Sequence, residues 1–231
     1  MVEGKSKMNT WVIIPAKNEA HNIKIVVDSL MGKVDKVVVV DDGSSDDTSK
    51  LATLAGAIVL RHLVNRGYGA ALVTGSDYAV SCGADVVIHF DADGQFEAND
   101  ISRLVGALQL GVPSVALGSR FLGKVIDMPK LRYLTLKLAI IFTWIFSGIK
   151  LTDAHNGFRA FTSSAWQKFN FRQDLMAFSS EVIDEIKRCN VPWVEVPVTV
   201  RYTESSLKGS KQGKWPAAKI VRDLFFGRFV R

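Results

Sequence analysis

Acidic side chains directly follow two apolar runs of the sequence. Asp41 and Asp42 come after four valines, and Asp91 and Asp93 come after Val-Val-Ile-His-Phe. Residues two apart in extended backbone point to the same side, so the carboxylates of Asp91 and Asp93 would repel each other at a buried strand end. A hard divalent cation removes this cost and prefers oxygen ligands. The spacing therefore predicts a cation site at Asp91 and Asp93, with Gln95 on the same face as a further oxygen ligand.

Each acidic motif also has a simpler interpretation. A single Asp-x-Asp triplet is common in solvated turns, although the apolar run before Asp91 argues against a free turn. Asp42, Ser44 or Ser45 is expected to cap the next helix. Capping does not explain two adjacent acids after four valines. His89, inside the apolar run, is expected to be a satisfied core histidine.

Strand and helix patterns alternate through the first half of the chain. Alternation of this kind predicts a doubly wound, mostly parallel α/β sheet flanked by helices. Asn18 or Ser45 is a candidate cap for the first two helices, and Gly56, Gly83 and Gly111 stand where helices should end. The predicted strands are 11–14, 36–40, 57–60, 85–90 and 114–117, and the predicted helices are 19–31, 46–55, 69–81 and 98–110.

The second half of the chain is less regular, and it shows neither a repeat nor a linker. The sequence therefore predicts one domain at 11–215, preceded by a tail at 1–10 and followed by a basic amphipathic helix at 216–231. Within the second half, helices are predicted at 130–148 and 176–189, strands at 158–162 and 193–201, and a polar, mobile stretch at 203–215.

Three polar segments fall at the carboxyl ends of predicted parallel strands. They are Pro15-Ala-Lys-Asn-Glu19, Asp41-Asp-Gly-Ser-Ser-Asp46 and Asp91-Ala-Asp-Gly-Gln95. In open α/β sheets, this is the edge at which ligands bind. We therefore expect the three segments to form one site.

Composition narrows the class of protein. Of 231 residues, 48% are hydrophobic and 23% are charged, as in an ordered globular protein. Cys82 and Cys189 lie far apart and give no zinc motif. The net charge of +6 suits an anionic partner. The start of the chain lacks a signal-peptide pattern, and the apolar stretch 138–149 is too short to cross a bilayer, so we expect a soluble or peripheral protein.

A glycine motif before the third predicted helix has two possible functions. Gly67-Tyr-Gly-Ala-Ala-Leu72 follows a predicted strand and opens a helix, as a dinucleotide fingerprint does. Leu72 stands at the third small-residue position, which argues against nicotinamide binding. The glycines are expected to admit either a diphosphate or a neighbouring loop.

With these residues in hand, the chain resembles family-2 glycosyltransferases of the A-type fold, especially the polyprenyl- and dolichyl-phosphate mannosyl- and glucosyltransferases. The resemblance runs from Trp11 to Lys214 in consistent order. Besides the three polar segments, it rests on Asn65-Arg-Gly-Tyr-Gly69, Gly118-Ser-Arg120, Asp153-Ala-His-Asn-Gly-Phe-Arg159 and Glu195-Val-Pro-Val-Thr-Val-Arg201.

The resemblance implies roles for individual residues. Asp91, Asp93 and Gln95 match positions that hold Mg²⁺ or Mn²⁺ and the diphosphate, with Ala92 between them. The nucleoside is expected near Pro15, Lys17, Glu19, Asp41 and Asp42, and Gly69 of the matching glycine motif is expected to contact the substrate. Cations that face the donor or acceptor phosphates are expected at Arg120, Arg132, Arg201 and Lys211. Arg159 is expected to be structural or to contact phosphate.

These roles imply an inverting transfer of a hexose from a UDP- or GDP-sugar. A membrane polyprenyl phosphate is the expected acceptor, and its ionised oxygen needs no protein base. A hydroxyl acceptor would need one, and the candidates are Asp153 and Glu181, with His155 less favoured. Each has an alternative: Asp153 could cap a loop, Glu181 could lie on a solvated helix face, and His155 could hold a loop by a hydrogen bond.

Alternative functions and partners remain open at this point. A nucleotidyltransferase usually opens with a Gly-rich basic loop, which 15–19 is not. A non-catalytic nucleotide-sugar sensor is disfavoured by the intact Asp91, Asp93 and Arg159. Nucleic-acid binding is disfavoured because the basic residues are scattered. The helix at 216–231 suits the cytoplasmic face of an anionic membrane or packing on the domain, and 134–149 suits a membrane, a dimer interface or the core.

Overall fold

The computed structural model describes residues 7–109, 111 and 114–202. The strands are β1 (Thr10–Ala16), β2 (Lys36–Asp41), β3 (Ile58–Arg61), β4 (Val86–His89), β5 (Val115–Ile126), β6 (Arg159–Thr162) and β7 (Trp193–Arg201). The helices are α1 (Ile23–Leu30), α2 (Thr48–Leu54), α3 (Tyr68–Ser81), α4 (Ile101–Gln109), α5 (Lys130–Ser147), α6 (Ser163–Trp166) and α7 (Phe178–Arg188).

The strands form one seven-stranded sheet in the order β3-β2-β1-β4-β6-β5-β7. The pairs β1–β2, β1–β4, β2–β3 and β5–β7 are parallel, and β6 runs antiparallel to both β4 and β5. The predicted α/β class, a single domain with a mostly parallel sheet flanked by helices, is confirmed.

Both faces of the central strands β1, β2 and β4 are buried, which explains their uninterrupted apolar sequences. Successive side chains of a strand point to opposite faces. In β1, Val12 and Ile14 pack in the cluster that contains α1 and α4, whereas Ile13 packs in the cluster that contains α3 and α7. A strand covered on both sides needs apolar residues at every position.

Several predicted boundaries differ from the structure. Neither Asn18 nor Ser45 is an N-cap, because α1 begins after Asn22 and α2 begins after Asp47. Instead the Asn18 side-chain oxygen accepts a hydrogen bond from the Ser45 N–H at 2.9 Å, which joins the loops after β1 and β2. These two residues therefore form a hydrogen bond that links two loops, instead of capping a helix. The predicted helix stops at Gly56, Gly83 and Gly111 all have positive φ, at 91°, 85° and 85°.

The largest difference is in β5, which continues to Ile126 instead of ending at residue 117. The continuation pairs with β7 after a register shift between Ser119 and Lys124. Apolar and polar residues alternate poorly in this outer half, which is hydrogen-bonded to a neighbouring strand, β7, along one edge only. The short helix α6 was not predicted. Thr10 belongs to β1 and not to the predicted tail, and the predicted segments 203–215 and 216–231 lie outside the described residues.

Within the part of the chain that the structure describes, no helix has both the length and the apolar character needed to cross a bilayer.

The contact between α3 and the sheet predicts a stability effect at Gly75. A Cβ there would lie 2.4 Å from Ile13 Cγ2 and 2.9 Å from Val40 Cγ2, so Gly75→Ala should lower the free energy of unfolding by about 1–3 kcal/mol. Gly106→Ala in α4 is the matched control, because a Cβ there meets nothing within 4 Å. Urea unfolding of both variants checks this, and equal stability of the two would contradict it.

Candidate active site

Three acidic segments meet at one rim of the sheet. Asp41 pairs with Ala16 at the ends of β2 and β1, and His89 at the end of β4 pairs with Ile13. The Phe90 N–H then donates to the Ile13 carbonyl at 3.0 Å, so Asp91 follows at the level of the last residues of β1. Since β1 lies between β2 and β4, their acidic ends are separated by one strand, on the edge where ligands bind in such sheets.

Asp91 and Asp93 are the centre of this rim. Burial and, to a smaller extent, the charge of Asp93 raise the pKa of Asp91 to about 7. Burial also raises the pKa of Asp93. Two enclosed carboxylates that resist ionisation are stabilised by a cation, so the residues fit a bound Mg²⁺ or Mn²⁺.

These two carboxylates would supply only part of a metal shell. Across residues 7–109, 111 and 114–202, no group of three or more His, Cys, Asp or Glu side chains is placed to hold a metal ion. Mg²⁺ is commonly bound by one or two carboxylates together with substrate phosphates and water. The chemistry of the pair therefore fits a metal shared with a diphosphate.

Two residues outside the predicted site fix the Asp91 carboxylate. The Tyr68 hydroxyl donates to Asp91 Oδ1 at 3.0 Å. Gly157 backs onto the same carboxylate, because a Cβ there would lie 2.8 Å from Asp91 Oδ2 and 2.8 Å from the Tyr68 hydroxyl. Both residues belong to motifs that carry the resemblance, which is the signal by which they could have been found.

The segment after β4 is a turn, which corrects the prediction of an extended backbone. Asp93 Oδ1 accepts a hydrogen bond from the Gln95 N–H at 3.0 Å, and Gly94 has a φ of 73°. The turn, and not strand alternation, brings the two acids together. Ala92, predicted to line the donor site, is buried in the apolar cluster beside α1 and α4. The Gln95 carbonyl accepts from the Arg201 N–H at 2.9 Å.

Asp41 and Asp42 organise loops. Asp41 Oδ1 accepts from the Ser44 N–H at 2.8 Å, and its Oδ2 accepts from the Ser49 hydroxyl. The oxygens of Asp42 accept from the N–H groups of Arg66 at 2.8 Å and Gly67 at 2.7 Å, and from His62. Although burial opposes it, these bonds lower the pKa of Asp42. Asp42 thus holds the loop that leads into Tyr68.

The loop after β1 lies beside the same rim. Pro15 is buried within β1, and the exposed Lys17 reaches the Asp42 carbonyl at 3.4 Å. Burial raises the pKa of Glu19, and the charge of Asp93 adds to this effect. Glu19 and Asp93, predicted to share a site, therefore lie near each other.

Gly69 contacts a neighbouring loop. A Cβ there would lie 2.3 Å from the Gln173 carbonyl oxygen and 2.7 Å from Phe178 Cβ. Gly67 approaches Asp174 in the same way, at 2.4 Å from its carbonyl oxygen. Of the two functions predicted for these glycines, the structure supports loop packing, so the expected contact of Gly69 with substrate is corrected.

Two arginines lie deep beside the carboxylates. The Arg120 guanidinium donates to Asp153 at 2.5 Å, to the Tyr202 hydroxyl at 2.6 Å and to the His155 carbonyl at 3.0 Å. Arg159 donates to the carbonyls of Asn156 at 2.8 Å and Ser179 at 3.2 Å. The positive charges of both lower the pKa of Asp91, against the effect of its burial.

The remaining predicted cations have different positions. Arg132, in the first turn of α5, stacks over the Tyr202 ring at 5.2 Å, and its charge lowers the pKa of Asp93 against the effect of burial. Arg201 is half-exposed, 3.4 Å from Glu97. Lys211 lies outside the described residues.

The three candidate bases are all constrained. Asp153 forms the buried ion pair with Arg120, which leaves its Oδ1 without a hydrogen bond. Glu181 accepts from the N–H groups of Arg172 at 2.9 Å and Gln173 at 3.0 Å, so it holds a loop and does not lie on the solvated face that was the alternative. Burial lowers the pKa of His155 to about 4. His89, expected to be satisfied, bonds Ser76 at 3.0 Å but leaves Nδ1 without a partner.

Comparison with known proteins identifies the family. Residues 11–169 match glycosyl transferase family 2. The chain belongs to this family. It is 31% identical to the UDP-N-acetylglucosamine–dolichyl-phosphate N-acetylglucosaminyltransferase of Methanococcus voltae, over 85% of this chain and 87% of that protein. It is 32% identical to the polyprenol monophosphomannose synthase of Mycolicibacterium smegmatis, over 94% of this chain and 84% of that protein.

Solved structures confirm the fold of this glycosyltransferase. Glucosyl-3-phosphoglycerate synthase from Mycobacterium tuberculosis, in complex with Mn²⁺, UDP-glucose and phosphoglyceric acid, has a TM-score of 0.70 and 20% identity. The match covers 96% of this chain and 79% of that one. The chain therefore has the A-type glycosyltransferase fold that the sequence predicted.

The raised pKa of Asp91 predicts a pH-dependent cost in the metal-free protein. The native carboxyl keeps its proton up to about pH 7, whereas the unfolded one loses it near pH 3.9, so stability falls as the pH rises between these values. Asp91→Asn removes the charge, and its gain in stability should grow from pH 4 to pH 7 and then level off. Urea unfolding in EDTA measures it.

Asp28→Asn on the exposed side of α1 is the control for this series. Its effect on the free energy of unfolding should show no comparable growth between pH 4 and pH 7. A gain for Asp91→Asn that is already complete at pH 4 would contradict the assignment of the cost to a buried charge.

Proposed function

We propose that this glycosyltransferase transfers a hexose from a UDP- or GDP-sugar to a polyprenyl phosphate at the membrane, with inversion of the anomeric centre. We further propose that Asp91 and Asp93 hold Mg²⁺ or Mn²⁺ together with the donor diphosphate. The observation that carries the proposal is the enclosed carboxylate pair, whose raised pKa values favour a bound cation.

Charge on the leaving group is the main difficulty of this reaction. As the anomeric C–O bond breaks, the nucleoside diphosphate takes the bonding electron pair. When bound, the metal ion supplies positive charge to the diphosphate oxygens. Arg132, whose charge lowers the pKa of Asp93, would contribute further positive charge, and the buried Arg120 and Arg159 add a fixed positive field. Tyr68 and Gly157 keep the Asp91 carboxylate in one orientation.

The state of the candidate bases supports a phosphate acceptor. A hydroxyl acceptor must lose a proton to the protein, whereas a lipid phosphate oxygen is already ionised near neutral pH. Asp153 is paired with Arg120, Glu181 gives both oxygens to backbone N–H groups, and His155 has a pKa of about 4. Burial raises the pKa of Glu181, but both of its oxygens are engaged by the backbone, so taking a proton would break a hydrogen bond that holds the loop. A phosphate oxygen that attacks the anomeric carbon from the face opposite the leaving group needs no such base.

The relatives support the same acceptor class. The relative from Methanococcus voltae is named for dolichyl phosphate, and a relative from Micrococcus luteus is named an undecaprenyl-phosphate mannosyltransferase. The donor and the metal are supported by the M. tuberculosis glucosyl-3-phosphoglycerate synthase structures, which are complexes with UDP-glucose and Mn²⁺ or with UDP and Mg²⁺.

Incubation with a panel of UDP- and GDP-sugars and a short polyprenyl phosphate tests the proposal. With Mg²⁺ or Mn²⁺ present, we expect a glycolipid and free nucleoside diphosphate from at least one donor. Asp93→Ala should lower the rate at least about a hundredfold, because the leaving charge loses its support. Asp28→Ala, at an exposed carboxylate of α1, is the control and should keep the wild-type rate.

Three outcomes would contradict the proposal. Release of pyrophosphate would indicate nucleotidyl transfer, and transfer to hydroxyl acceptors alone would indicate a different acceptor class. Binding of nucleotide sugars without turnover across the panel would indicate a sensor.

Gly157 provides a second test, because the effect of a methyl group there is local. Gly157→Ala should push the Asp91 carboxylate and the Tyr68 hydroxyl apart, and a displacement of this kind costs on the order of a hundredfold in rate. Mn²⁺ affinity, measured by electron paramagnetic resonance, should weaken in parallel. Gly106→Ala is the matched control. Unchanged Mn²⁺ affinity and rate in Gly157→Ala would show that this contact does not orient the ligand.

A further inference from the structure

The outer face of α5 is a continuous stripe of large apolar side chains. Leu131, Leu134, Leu138, Ile141 and Ile145 have exposures of 77%, 56%, 59%, 51% and 68%. Their spacing of three and four residues places them on one side of the helix. We call these five residues the outer face of α5. A stripe of this size on a surface marks an interaction site.

The inner side of α5 packs on the domain through both polar and apolar residues, so the outer stripe is additional to the side that the helix buries. Thr143 and Ser147 are buried at 7% and 2% exposure, although Thr143 stands two residues from both Ile141 and Ile145 and so lies on the opposite side. Lys187 of α7 donates to the Ser147 carbonyl at 2.5 Å, which fixes this side against the domain. Thr143, Ser147 and the partly buried Ile140 therefore face the protein, and the five-residue apolar stripe faces outward.

The charges of the segment decide which partner fits the stripe. Residues 130–150 contain Lys130, Arg132, Lys137 and Lys150 and no acidic residue. A second copy of the chain would bring two such basic helices together. Residues 214–231, the basic apolar end of this chain, carry five basic residues and one acid, so they would also repel α5. An anionic surface instead satisfies both the apolar stripe and its cations.

Aromatic residues on the flanks of the stripe match a lipid interface. Lys150 lies over the Trp144 ring at 4.7 Å, and Lys137 lies 3.9 Å from the Phe121 ring of β5 and 5.5 Å from the Tyr133 ring. Trp, Tyr and Lys are the residues that favour the boundary between lipid headgroups and acyl chains. A helix of this kind lies in the plane of the interface and does not cross the bilayer.

We infer that the outer face of α5 docks the enzyme on an anionic lipid bilayer, with the helix parallel to the membrane plane. Arg132, one residue after Leu131, lies beside Tyr202 and within electrostatic reach of Asp93, so docking would place the carboxylate pair next to the headgroups. This inference deepens the proposed function, because it names the surface by which the enzyme would reach a lipid-borne phosphate. The purpose that we assign to docking rests on that proposed function.

Vesicle flotation with the full chain tests the inference. The vesicles contain phosphatidylcholine with or without one-quarter phosphatidylglycerol, and they contain no polyprenyl phosphate. The wild type should bind the anionic vesicles, more weakly as salt increases, and bind the neutral ones poorly. The triple variant Leu134→Gln, Leu138→Gln, Ile141→Gln should bind the anionic vesicles at least about tenfold more weakly, because three apolar side chains that would enter the lipid are lost.

A matched control separates docking from general surface apolarity. Ile25→Gln with Leu54→Gln changes two side chains of 70% exposure on α1 and α2, and vesicle binding should stay at the wild-type level. Thermal unfolding of the triple variant should match the wild type, since the substituted side chains are exposed. Wild-type vesicle binding by the triple variant would overturn the inference, and so would a wild-type dimer that the triple variant dissociates.

The test is independent of catalysis. If no donor gives a glycolipid but anionic vesicles bind through α5, the proposed function fails and docking stands. If a glycolipid forms and the triple variant binds vesicles as the wild type does, docking through α5 fails and the proposed function stands.

Discussion

The site depends on the repulsion between two enclosed carboxylates. Asp91 and Asp93 are brought together by the turn after β4, and their burial makes each costly to ionise. Neighbouring arginines reduce this cost only in part, because the pKa of Asp91 stays near 7. A divalent cation would relieve the remaining electrostatic cost, which is the physical basis of the proposed metal site.

Many of the polar side chains around this pair hydrogen-bond to loops. Few of them are therefore left to contact a ligand. Asp42 binds the backbone of the loop before α3, and that loop delivers Tyr68 to Asp91. Asn18 and Ser45 join the loops after β1 and β2 in the same manner. Because loops at a sheet edge lack a ladder to fix them, short polar side chains that bond backbone groups supply the rigidity that an active site needs.

The sequence predicted the sheet and the location of the site well, because both follow from local patterns. A strand that is buried on both faces appears in the sequence as an apolar run, and the acids at its end follow directly. Val37–Val40 before Asp41 is an example. The continuation of β5 to Ile126 was not visible, since it depends on pairing with β7, a strand distant in the chain. The contact of Gly157 with Asp91 was likewise missed, because it depends on which motifs meet in space.

The arrangement of cations explains why the site is better suited to stabilising charge than to moving protons. Arg159 is buried and donates to backbone carbonyls, so its positive charge is not cancelled by a hydrogen-bonded carboxylate. Arg120 is locked to Asp153, which occupies one oxygen of that carboxylate and fixes the guanidinium at the same time. Charges held in this way need no reorganisation as a diphosphate departs. The same ion pair that preorganises the cation therefore removes a candidate base, and both effects favour an acceptor that arrives already ionised.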